Sequence, residues 1–220
     1  MSIVTRHFHP EQIPFDFQRA YSFLKISRNS DKFETMHAMV ARLYEQYKIC
    51  FEPRYRYGIY QVAGGQSGSF SVLLDSGVSF VGQGIHRLLT QSRYAAVFVL
   101  TIGEQIDAEM AKLSQQDFTE AYFLDGVASA MTEGLLQLLK RELHGEAAKL
   151  GCELSHRFSP GYARWDLQEQ EKIFKLLKGE EIGMTLSETY FMMPQKSLSG
   201  VFGFKRIASC NETGFISSIR

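Results

Sequence analysis

The chain has 220 residues and a mass of 25.1 kDa, long enough to bury roughly 70% of its unfolded surface in one core without staples. Its 24 Lys+Arg balance 24 Asp+Glu, so bulk charge selects neither nucleic acid nor a lipid surface as a partner. At 45% hydrophobic and 22% charged, the composition is that of a globular protein and excludes a disordered one.

In chain order, residues 1–50 read as a helical region. From Glu11 to Tyr47 the apolar spacing is helical, with Phe17, Tyr21 and Leu24 on one face and Met36, Met39, Val40 and Leu43 on another. Pro53 to Ala63 alternates with period two at Tyr55, Tyr57, Ile59 and Gln61 and predicts a strand. Gly64-Gly65 with Ser67-Gly68 predicts its turn, and Phe70 to Leu74 a partner strand. Gly82 to Ser92 reads as a short helix and Ala95 to Thr101 as a buried strand. From Asp117 to about Leu150 there is no proline, and Leu124, Val127, Met131, Leu135, Leu138, Leu139 and Leu143 recur at helical spacing. This predicts a helix of about 45–50 Å, with a break near Gly145. A loop with Ser159-Pro160-Gly161 is expected next, then a helix from Leu167 to Leu177, then strands between Thr185 and Phe204. The order departs from strict β-α alternation, so the expected class is α+β: a single domain over 1–220 with a largely antiparallel twisted sheet and long flanking helices.

Common chemical motifs are missing from the sequence. Gly82-Gln83-Gly84 opens a helix, but Arg87 stands where a dinucleotide fingerprint needs its third glycine, so a tight turn into the helix is the better reading. There is no GxxxxGK[ST], and Gly65-Gln66-Ser67-Gly68-Ser69 misses the G-x-S-x-G elbow by one position. The six histidines form no HExxH, His7 and His9 read as solvated, and nothing completes a ligand set around Cys152 and His156. Cys50, Cys152 and Cys210 are too widely spaced for a disulfide framework or a four-cysteine metal site. The start, MSIVTRHFHPEQ, lacks an apolar signal region, and the longest apolar stretches are too short to span a membrane. A cytoplasmic protein is expected.

One segment carries chemistry. In Arg157-Phe158-Ser159-Pro160-Gly161-Tyr162-Ala163-Arg164-Trp165, Arg157 offers a planar fork for a carboxylate. Pro160 fixes φ, and Gly161 can take φ > 0 and let a ligand approach the backbone. Tyr162 and Trp165 offer flat faces to a purine or a sulfonium. A small zwitterionic or nucleoside ligand would suit this set; the plainer alternative is a turn whose arginine pairs with a nearby acid.

These residues resemble the reactivation domain of cobalamin-dependent methionine synthase and its stand-alone relatives. Arg157, Gly161 and Tyr162 match the family's R-x-x-x-G-Y motif. In IGMTLSETYFMMPQKSLSG, Leu186, Ser187, Glu188, Met192, Pro194, Ser197, Ser199 and Gly200 fall on its second block, with Ser187 for the commoner threonine. Thr101-Ile102-Gly103 and the Gln-rich Leu167-Gln168-Glu169-Gln170 agree with stand-alone members. The likeness is best over 95–204. It implies a domain that binds S-adenosylmethionine and docks over a corrinoid, where an external electron and the bound methyl group restore methylcobalamin from inert cob(II)alamin.

Carried over by position, Arg157 would grip the methionine carboxylate, Ser159, Pro160 and Gly161 would hold the backbone against the ligand, and Tyr162 would face the corrinoid. Glu133 aligns with a glutamate near the ligand's charged groups; an exposed helix carboxylate is the alternative. Lys196, Ser197 and Ser199 either shape the docking face or are plain strand and turn residues. The sequence holds no D-x-H-x-x-G corrinoid pattern, so the expected action is in trans. The partner would be a corrinoid-binding protein or a methionine synthase lacking its own activation domain, with a reductant such as flavodoxin or ferredoxin. The alternatives are a non-catalytic S-adenosylmethionine sensor or assembly factor, and a pocket for another small ligand. The tail from Lys205 keeps only Cys210, where stand-alone relatives often carry a cysteine cluster.

Overall fold

Three stretches of the chain, distant in sequence, form the centre of the sheet. In the computed structural model, which describes residues 3–207, the strands are β1 (Val4–His7), β2 (Arg54–Gln66), β3 (Ser71–Leu74), β4 (Ser79–Val81), β5 (Tyr94–Thr101), β6 (Cys152–Phe158), β7 (Thr185–Leu186), β8 (Met192–Met193) and β9 (Ser197–Arg206). The helices are α1 (Phe17–Leu24), α2 (Phe33–Tyr47), α3 (Gln83–Leu89), α4 (Gln105–Gln116), α5 (Phe118–Lys149) and α6 (Gln170–Leu177). The main sheet runs β4-β3-β2-β5-β9-β6, with β1 also paired to β2, and every pairing is antiparallel. β7 and β8 make a separate small hairpin.

β5 explains why the sheet is covered on both faces. Its continuous apolar run sends Ala96, Phe98 and Leu100 toward α1, α2 and α5, while Ala95, Val97 and Val99 meet α3, α6 and Trp165. A strand buried on both sides loses polar alternation, and this one reads as unbroken AAVFVL.

α5 is 32 residues long. Asp117 starts it by accepting hydrogen bonds from the backbone N–H groups of Thr119 and Glu120 at 2.9 and 3.0 Å. It runs through Gly145 without the expected break. No side chain or proline intrudes there, and a lone glycine costs a long helix only about 1 kcal/mol.

Other expectations are corrected locally. Gly64 and Gly65 do not turn the chain: β2 continues to Gln66 past a bulge at Val62/Gly64, and the turn falls at 67–70. Phe70 belongs to that turn, with φ of 48°. Residues 1–50 are not helical throughout: Val4–His7 forms strand β1 against β2, and helix α4 and strand β4 lie where the sequence pattern marks no element. The segment after α5 is not a loop between helices; β6 intervenes and places Arg157 on a strand that pairs with β9. Cys210 lies outside the described residues, and no described helix is long and apolar enough to cross a membrane.

Candidate functional site

Arg157 enters the site from the sheet. It stands opposite Phe202 in the β6–β9 ladder, on the face covered by α5, and its side chain is half-buried. The guanidinium Nη1 is enclosed and has no hydrogen-bond partner among the described residues. A buried donor of that kind awaits an acceptor. The alternative of a neighbouring acid pairing with this arginine is not what the structure shows, since no ion pair involves it among the described residues.

The turn that follows is held from three sides. The Ser159 hydroxyl donates to the Ser199 carbonyl of β9 at 2.7 Å, so it anchors the turn to the sheet. Pro160 is buried. Gly161 has φ of 87° and donates its N–H to the Trp165 carbonyl at 2.8 Å; a side chain would be strained in that conformation whatever the space around it. Tyr162 is 70% exposed, leaving its ring open to a ligand or a partner.

Trp165 is different. It is only 1% exposed, stacks on Phe158 at 5.7 Å and 19°, and meets Phe80 edge-on. It therefore offers no face to a ligand, contrary to expectation. The cause lies in Gly82 and Gly84. A Cβ on Gly82 would meet the Arg164 carbonyl at 3.0 Å, and one on Gly84 the Ala163 carbonyl at 2.7 Å. Without side chains there, the turn lies directly on the start of α3, and Gly82 forms a β-bridge with Trp165. The Gly-Gln-Gly frame thus serves chain packing.

Glu133 sits elsewhere. On α5 it lines a cleft of about 220 Å³ with Ser129, Thr132, Lys196 and Ser197, whose lining excludes residues 157–162. Lys196 is fixed by Asp125 at 2.7 Å and the Ser129 hydroxyl at 2.9 Å. Ser197 and Ser199 are buried, donating to the Pro194 carbonyl and to Gln170 Oε1 at 2.6 and 2.8 Å. They are strand residues whose hydroxyls are engaged in these internal hydrogen bonds. Nearby, Asp107 accepts the Gln195 N–H at 2.6 Å, and burial pushes its carboxyl above the ordinary range.

Gln170 supports the turn from beneath, without any motif to mark it. Almost fully buried, it accepts from Ser199 through Oε1 and donates through Nε2 to the Tyr190 carbonyl at 2.7 Å. It thereby joins the turn's anchor strand to the β7–β8 hairpin. The Gln-rich stretch at 167–170 was its only trace in the sequence.

An antiparallel sheet with the long helix α5 on one face, and a strand-end arginine leading into a Pro-Gly-Tyr turn, define an α+β class of domain. The family described as vitamin B12 dependent methionine synthase, activation domain, matches residues 85–217, and the chain belongs to that family. Among solved structures, the chain is similar to the MetH reactivation domain bound to AdoHcy, with a TM-score of 0.72 and 14% identity, over 92% of this chain and 78% of that one. No curated protein matches it by sequence.

Proposed function

We propose that this chain binds S-adenosylmethionine at the Arg157–Tyr162 turn and supports reductive methylation of cob(II)alamin on a separate corrinoid protein, a methionine synthase without its own activation domain. The observation that carries the reading is the enclosed, unpartnered Nη1 of Arg157. A carboxylate is the natural acceptor for such a fork, and S-adenosylmethionine carries one. Family membership supports the same ligand class, as does the similar domain solved with AdoHcy, which keeps the carboxylate and adenosine of the methyl donor.

S-adenosylmethionine would supply the methyl group as a cation and leave as S-adenosylhomocysteine, while a reductant such as flavodoxin or ferredoxin would supply the one electron that makes the partner's cob(II)alamin able to accept it. The chain's own residues bind and orient. Arg157 holds the carboxylate, Ser159 and Pro160 fix the turn, Gly161 supplies its left-handed backbone, and Tyr162 lies between ligand and partner. Glu133 lies in a separate cleft and has no part in holding the ligand at this turn, so Glu133→Gln should leave S-adenosylmethionine affinity unchanged. Nothing in this scheme needs a general acid or base; alignment and exclusion of water carry the rate.

Calorimetry tests the reading. Wild type should bind S-adenosylmethionine saturably, and Arg157→Ala about 10- to 100-fold more weakly, the loss of a charge-assisted hydrogen bond of about 1.5–3 kcal/mol. An unresponsive wild type, or an unchanged Arg157→Ala, overturns it. With a cob(II)alamin-loaded partner and a reductant, methylcobalamin absorbance should then rise; binding without that rise leaves a sensor or assembly role.

A further inference from the structure

We infer a second ligand site, an anion-binding cleft behind the Arg157–Tyr162 turn that takes a phosphate-bearing small molecule. The cleft has a volume of about 420 Å³, is lined by Arg87, His156, Arg164 and Lys205 among others, and has no carboxylate in its lining. Arg87, Arg164 and Lys205 join no ion pair among the described residues. Instead, Arg164 donates to Gln83 Oε1 at 2.9 Å and Lys205 to Gln91 Oε1 at 3.3 Å. These neutral amides position the two bases without cancelling their charge. Glu153 stands opposite Lys205 in the β6–β9 ladder, yet it does not line the cleft.

The cleft is shaped by the chain. Ala163 and Arg164 are both in the left-handed region, at φ of 43° and 61°, and this turns the chain over Gly84, whose missing side chain leaves room for the Ala163 carbonyl. Arg87 and Arg164 are exposed and Lys205 is half-buried, and three permanent positive charges lining one concavity focus a positive potential into it. Phosphoryl oxygens match two guanidinium forks and an ammonium. The volume is that of a small-molecule site, whereas an acidic protein surface would cover the rim and leave the cleft unfilled. Arg157 lies on the opposite face of the sheet, with Phe202, while Phe158 and the cleft are on the α3 side. The site is therefore separate from the one proposed for S-adenosylmethionine.

Pyrophosphate, inorganic phosphate and ADP, titrated at low salt by calorimetry, test the inference and distinguish a free phosphate from a nucleotide by which binds tightest. Pyrophosphate should saturate one site. Arg87→Gln and Lys205→Gln should each weaken it about tenfold, with circular dichroism and S-adenosylmethionine affinity unchanged. The probes make no use of the Arg157 turn, so the two sites stand or fall separately. The inference is overturned by non-saturable binding, by variants that bind like wild type, or by a poly-glutamate peptide that competes as well as pyrophosphate, which would mark a protein-docking patch.

Discussion

An enclosed guanidinium nitrogen without an acceptor costs a folded chain on the order of 1–3 kcal/mol, and Arg157 keeps that cost in the described structure. Such a group is retained when a ligand completes it, which separates stability from function at one residue. Arg157→Met keeps the aliphatic stem and removes the donor. Its urea midpoint should match wild type or correspond to a gain of up to about 1 kcal/mol, while affinity for S-adenosylmethionine falls as in Arg157→Ala. A stability loss above about 2 kcal/mol would show that the guanidinium serves the fold instead. The same run shows what residue types alone reveal. The sequence marks Arg157, Gly161 and Tyr162 by chemistry and motif, and it marks Trp165 equally as an aromatic face. Which ring turns inward is decided by Gly82 and Gly84, some 80 positions upstream in the chain, and no local pattern carries that.

Helix α5 was readable because its buried positions recur with one period over 32 residues. α4 was not: in QIDAEMAKLSQQ only Ile106 and Leu113 are buried, too few to set a stripe. β6 was hidden for a related reason. As the last strand of the sheet, CELSHRF keeps polar residues on its accessible positions and reads as a loop. The glycines of α5 give a contrast that tests its packing. A Cβ at Gly145 would meet nothing within 4 Å, so Gly145→Ala should stabilise by about 0.5–1 kcal/mol through helix propensity alone. At Gly134 a Cβ would meet the Pro14 carbonyl at 2.6 Å and Ile13 Cγ2 at 2.8 Å, and a backbone carbonyl cannot step aside as a flexible side chain can. Gly134→Ala should therefore lose stability despite the same propensity gain. Denaturant midpoints of the two variants moving in the same direction would contradict this placement of α5 against the segment before α1.

At the scale of the molecule, the sequence supports the class, α+β with antiparallel pairing, because strand and helix patterns fail to alternate. It does not carry the order β2-β5-β9, whose members lie far apart in the chain; strands buried on both faces lack the alternation that would assign partners. What ties these layers together has a consequence for pH. Glu142 of α5 accepts hydrogen bonds from the hydroxyls of Tyr55 and Tyr57 on β2, the latter at 2.9 Å, and pairs with Arg6 of β1 at 3.1 Å. Burial, reinforced by that carboxylate, raises both phenols well above their ordinary value of 10.0, and burial also raises Tyr21, Tyr44, Tyr47 and Tyr60. An acid whose folded pKa is raised gives up its proton first in the unfolded chain, so unfolding releases protons. The stabilising contribution is complete below about pH 10 and is lost as pH climbs toward the folded values. Unfolding free energy should then fall steeply above about pH 10, by up to about 1.4 kcal/mol per pH unit for each fully shifted phenol. Tyr55→Phe with Tyr57→Phe should flatten that slope while lowering stability at pH 7, because Glu142 loses two donors. If the double variant kept the wild-type slope between pH 10 and 11.5, the two phenols would not be held protonated by the α5–β2 contact, and Glu142 would tie the helix to the sheet through Arg6 of β1 rather than through β2.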